Sequence, residues 1–152
     1  MLQALKKLVA EVTGEDGASA RFAEDDYRLA AAALLVHTGT IDGRLSDVER
    51  ARLRQVLQQR FALDDAAADE LVAEAIEAER QSIDLYHFTS RLNRTLDHTG
   101  RSRVVEMMWQ VVFADGEVSE FEDNLVWRAA DLLGVSREER IALRQRVAGT
   151  SA

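Results

Sequence analysis

The sequence predicts an all-α fold: a single-domain bundle of seven to eight helices, built as two related helix–loop–helix halves. Three observations carry this. Apolar residues recur at three- and four-residue spacing along most of the chain, and no segment sustains the two-residue alternation of a half-buried strand. None of the 152 residues is proline, so no helix carries a built-in breaker. The chain also matches itself without a gap: Ile41-Asp42-Gly43-Arg44-Leu45-Ser46-Asp47-Val48-Glu49 aligns on Ala114-Asp115-Gly116-Glu117-Val118-Ser119-Glu120-Phe121-Glu122.

Leu2, Leu5, Leu8, Val9 and Val12 form one stripe, so residues 2–12 read as an amphipathic helix, followed by a polar loop over 13–19. Residues 1–22 are read as this helix and loop, and 23–152 as the bundle, with repeats over about 23–80 and 100–147. A helix runs from about Ala23 to about Gly39. Its second half, from Leu29 to Val36, is apolar all round, as a central helix is. Ser46 starts the next helix, through about Phe61. Asp64 or Asp65 caps a fourth, which buries Ala68, Leu71, Val72, Ala75 and Ile76 and loses its stripe at Glu79. Ser82 or Asp84 restarts the chain with Leu85, Phe88, Leu92 and Leu96 on one face, and Asp97-His98-Thr99-Gly100 reads as a break.

A strongly apolar helix follows over 103–113, then one from Ser119 to about Leu133, ended by Gly134. Ser136 caps the last helix, with Ile141, Leu143 and Val147 facing inward. Phe61-Ala62-Leu63-Asp64 also matches Leu133-Gly134-Val135-Ser136 after a one-residue deletion. The helices over 29–39 and 103–113 are expected to meet at the centre about a pseudo-two-fold axis.

A net charge of −8 with scattered basic residues disfavours nucleic acid as a partner. The absence of cysteine removes disulfides, thiolate zinc sites, iron–sulfur clusters and a Cys nucleophile. Residues 1–8 are too polar for a signal-peptide core, and the longest apolar run is too short to span a bilayer. The expected location is therefore the cytoplasm, off the membrane. His37, His87 and His98 are too far apart for a local zinc motif, and His37 is expected to be a hydrogen-bonded partner in the core. Neither a nucleophile elbow nor a glycine-rich phosphate loop is present, so no enzymatic activity is expected. Trp109 and Trp127 read as core or half-buried packing residues rather than a ligand box. The helix over 2–12 packs back on the bundle, engages a partner protein or pairs two copies as a homodimer.

The repeated motif has two readings. In one, Gly43 and Gly116 supply positive φ, and Ser46-x-x-Glu49 and Ser119-x-x-Glu122 are capping boxes, a form shared by Ser136-Arg137-Glu138-Glu139. In the other, Asp-Gly-x-apolar-Ser-x-x-Glu is the second half of an EF-hand-like loop. The upstream ligand positions then hold Thr38 and Thr40 in one loop and Val111 and Phe113 in the other, so one loop offers too few oxygens. Brought together, Asp42, Glu49, Asp115 and Glu122 supply four carboxylates to Ca²⁺, Mg²⁺ or Mn²⁺.

These paired loops resemble those of the TerB-like domain of tellurite-resistance proteins. So do Ser82-Ile83-Asp84-Leu85-Tyr86-His87-Phe88, the Met107-Met108-Trp109 run and Phe113-Ala114-Asp115-Gly116. The resemblance covers residues 23–147, and a related domain forms the N-terminal part of a membrane-anchored DnaJ-like co-chaperone. It implies a compact all-α domain that binds or senses metal in a stress response, with Asp42, Glu49, Asp115 and Glu122 at the acidic positions. A J-domain His-Pro-Asp motif is excluded by the lack of proline, and thiol chemistry on tellurium oxyanions by the lack of cysteine. The expected function is a non-enzymatic module that binds or senses a divalent cation in a stress or tellurite-resistance context. The alternative is a protein–protein interaction scaffold whose Asp-Gly loops are purely structural.

Overall fold

Helix ends in this chain are set by short polar side chains, and the first shows how. Asp26 sits in extended backbone and accepts the Arg28 amide at 2.9 Å, which opens α1 (Tyr27–Thr40) downstream of the expected Ala23. Apolar periodicity marks a face; the capping residue marks the first turn. The Arg28 guanidinium also grips the Asp26 carboxylate at 2.7 Å and holds its pKa below the ordinary value. A computed structural model describes residue 22 and residues 26–41, 43, 45–82, 84–116 and 118–151, the side chains of Asp115, Thr150 and Ser151 excepted. The expected helix over 2–12 and its loop lie outside the described residues.

The remaining helices are α2 (Asp47–Arg60), α3 (Asp65–Gln81), α4 (Tyr86–Thr95), α5 (His98–Val112), α6 (Glu120–Leu132) and α7 (Arg137–Ser151). A 3₁₀ turn (Phe113–Asp115) extends α5. Among the described residues there are seven α-helices and no strand. Asp64 caps α3 by accepting the Ala67 amide at 2.7 Å. The break read at Asp97–Gly100 is narrower than expected: Asp97 caps α5 and takes the Gly100 amide at 2.9 Å, so Gly100 lies inside the first turn. Ser136 accepts the Glu139 amide at 3.1 Å, as a cap should. Besides the Ser136 backbone, the Glu139 carboxylate also takes Ser102 Oγ at 2.7 Å and His98 at 2.8 Å, so its contacts tie α7 to α5.

α1 lies at the centre and packs against α2, α3, α4, α5 and α6. Ala31, Ala32, Ala33, Leu34 and Leu35 are fully buried, as its all-round apolar sequence requires. The alanines let neighbouring helices approach closely. α5 packs on α1, α2, α6 and α7, burying Met107, Met108 and Trp109. Phe22 is buried too, beneath the Arg28 guanidinium at 4.7 Å from its ring centroid. Ile141, expected inside, is 38% exposed, while Leu143 and Val147 of the same helix are buried. Leu143 and Val147 stand four residues apart on one face and leave Ile141 beside it.

α2 and α6 end alike. After α6, Gly134 takes φ +74° and the Val135 amide returns to the Ala130 carbonyl at 2.9 Å, closing a Schellman motif. After α2, the Leu63 amide returns to the Gln58 carbonyl at 3.0 Å, but the left-handed residue is Ala62, with φ +52°. No helix among the described residues is long and apolar enough to cross a membrane.

Candidate functional site

The two Asp-Gly loops leave from the ends of the two central helices. The last turn of α1 carries Gly39, where an added Cβ would meet Leu45 and come within 4.0 Å of Val111 Cγ1 in α5. Glycine is needed there because the chain folds back on itself and a second helix passes alongside. The ends of α1 and α5 therefore adjoin. α2 also packs on the 3₁₀ turn that leads into the second loop, and α1 packs on α6. Both loops start from one end of the bundle.

Gly43 takes φ +137° and Gly116 φ +82°, values that exclude an L side chain at little strain. Beyond them the capping boxes form as the sequence predicts. Ser46 Oγ accepts the Glu49 amide at 3.1 Å and Glu49 Oε1 accepts the Ser46 amide at 3.1 Å. Ser119 Oγ accepts the Glu122 amide at 3.1 Å and Glu122 Oε1 accepts the Ser119 amide at 3.0 Å. Glu49 and Glu122 are buried, at 5% and 3% exposure. Carboxylates that deep are rare without charge or hydrogen-bond compensation.

Of the four predicted ligands, the structure places Glu49 and Glu122. Asp42 and the side chain of Asp115 lie outside the described residues. Among those described, no three His, Asp or Glu side chains gather as a metal site would need. The threonines upstream of Asp42 face back into their own helix: Thr38 Oγ1 donates to the Leu34 carbonyl at 2.9 Å and Thr40 Oγ1 to the Val36 carbonyl at 3.0 Å. They do not complete the first half of a loop site.

His37, on the turn before the first loop, hydrogen-bonds through Nδ1 to Glu79 Oε2 at 2.9 Å. It is a hydrogen-bonded partner as expected, on a part-buried site between α1 and α3. This pair explains why the apolar stripe of α3 ends at Glu79. Two clusters escaped the sequence reading. In one, Glu106 of α5 receives Arg60 at 2.9 Å and Arg146 at 2.7 Å. Burial works against its charge, but the two guanidiniums outweigh that and hold its pKa below the ordinary glutamate value. In the other, Arg140 and Arg144 of α7 lie over aromatic rings, Arg140 over Trp127 and Arg144 over Trp109 and Phe113. Trp109 is a core residue and Trp127, 51% exposed, is a half-buried one beneath Arg140, both within the expectation. Neither cluster has a local sequence signature, since its members come from separate helices.

A family model described as tellurite resistance protein TerB matches residues 28–145, more than half of the chain. No curated protein and no solved structure matches it.

Proposed function

This chain belongs to the TerB family, and from that premise we propose that its two acidic loops together bind one divalent cation, as a non-enzymatic module of a tellurite-resistance or wider stress response. The observation that carries the proposal is the junction of the two central helices, where Gly39 abuts Val111. Asp42 and Asp115 follow within a few residues on either side of that junction. A shared site would draw on Asp42, Glu49, Asp115 and Glu122, with backbone carbonyls and water completing the six to eight oxygens a hard cation takes. Glu49 and Glu122 support the reading, because their capping boxes fix one buried carboxylate just after each loop.

Thermal melting of the full chain with Ca²⁺, Mg²⁺ or Mn²⁺ tests it. At a hundred times Kd, binding to the folded state adds about 2.7 kcal/mol by mass action. The double variant Asp42→Asn with Asp115→Asn should lose the gain. No shift at millimolar metal overturns the proposal. The scaffold reading would then stand, favoured by Val48 and Phe121, which occupy matching positions after the two loops and are 54% and 66% exposed.

A further inference from the structure

α7 turns two arginines onto aromatic rings on the side where it meets α6. Arg140 Cζ lies 4.8 Å from the Trp127 ring centroid, and Arg144 Cζ lies 5.4 Å from that of Trp109 and 5.5 Å from that of Phe113. Trp109, Asp123, Arg140, Ile141, Arg144 and Gln145 line an open cleft of ≈ 260 Å³ between these helices. That is just below the usual range of ligand sites, so it suits only a small molecule.

The wall of the cleft holds two buried donors without a hydrogen-bond partner among the described residues. Trp109 is 1% exposed, and its Nε1–H has no hydrogen-bond partner among the described residues; nor does Arg144 Nε. An indole N–H only donates, and a buried donor left unpaired is destabilising. Arg140 forms no ion pair among the described residues, and burial lowers its pKa. The sole carboxylate in the lining, Asp123, reaches Arg144 Nε only at 3.5 Å. That is an ion-pair distance but a poor hydrogen bond. Guanidiniums stacked on rings keep their N–H edges free for an oxyanion held in plane. Ile141, 38% exposed, is an apolar part of the lining, and Trp127, half exposed, lies under Arg140 beside it.

We propose that this cleft binds a small organic oxyanion, a carboxylate or phosphate monoester with a compact apolar body. Arg140 and Arg144 take the oxyanion and Trp109 Nε1–H donates to the same group. Ile141 and Trp127 cover the apolar part. Asp123 is the internal competitor that the ligand displaces from Arg144. The net charge of −8 works against anions at long range, so affinity comes from these contacts and not from steering.

The chain has two tryptophans, so ¹⁵N-labelled full-length protein shows two indole N–H resonances. Benzoate and phenyl phosphate are titrated in separate arms. The expected result is a saturable shift of the Trp109 indole resonance in at least one arm, and the tighter arm identifies the anion. Arg140→Gln should weaken that binding about tenfold, and Asp123→Asn should tighten it. Arg144→Gln should also weaken binding; because Arg144 packs on core rings, its amide spectrum is compared with wild type, and the Arg140 and Asp123 variants carry the test if it differs. No saturation by either probe up to tens of millimolar overturns the proposal. So does binding that survives Arg140→Gln unchanged.

Discussion

Replacing Ala62 with glycine should stabilise this protein. Ala62 follows α2 with φ +52°, a conformation that costs an L residue about 1–2 kcal/mol. Glycine removes that strain but loses more backbone entropy on folding, about 0.4–1 kcal/mol. The alanine methyl is exposed, so little burial is forfeited. The net gain is therefore about 0.5–1 kcal/mol, or roughly 1–4 °C in Tm for a chain of this size. Gly134 supplies the converse. It takes φ +74° at the matching place after α6, and an added Cβ would meet no atom within 4 Å, so Gly134→Ala isolates backbone strain at a loss of about 1 kcal/mol. Urea unfolding followed by far-UV circular dichroism measures both. Destabilisation by Ala62→Gly, or shifts of the same sign in both variants, would refute the argument that helix α2 closes through a left-handed alanine.

Three further outcomes are expected. Glu106→Gln removes a carboxylate shared by Arg60 and Arg146, and should cost about 1–2 kcal/mol at neutral pH, discounted because Arg146 is largely exposed. Because the folded-state pKa of Glu106 is lowered, its contribution is complete above the ordinary glutamate value and is lost as pH falls through the lowered one. Stability curves of wild type and Glu106→Gln should thus converge on acidification below about pH 4. Ala32→Leu places a larger side chain in the fully buried centre of α1 and should cost about 1–3 kcal/mol or more in thermal or urea unfolding. Ser46→Ala and Ser119→Ala each remove a cap acceptor and should each cost about 1 kcal/mol in the same measurement, with the hydrogen-exchange protection of the Glu49 or Glu122 amide reduced.

Much of the fold was legible because its signals are local. Ser46, Asp64, Ser119 and Ser136 each act as the helix cap that their position announces. The all-round apolar run of α1 puts it in the middle. Where the reading slipped, distant partners decided the outcome. Besides the Ser136 backbone, the Glu139 carboxylate also takes His98 and Ser102, which lie about forty residues back in sequence. Gly100 looks like a breaker, yet the Asp97 side chain satisfies its amide inside a helix. The candidate cation site was legible only as a pattern: spacing places Asp42, Glu49, Asp115 and Glu122 in equivalent loops. The burial of Glu49 and Glu122 depends on packing between helices, which no local window contains. The stacked arginines of α7 were illegible for the same reason, since the rings they cover sit on α5, the 3₁₀ turn and α6.

The most direct test of the cation proposal is the stoichiometry of Mn²⁺ binding to the full chain, measured by equilibrium dialysis. A shared centre predicts one ion per chain, with Asp42→Asn and Asp115→Asn each sufficient to abolish it. No binding at millimolar Mn²⁺ would contradict the account. So would two ions per chain, each surviving the substitution in the opposite loop.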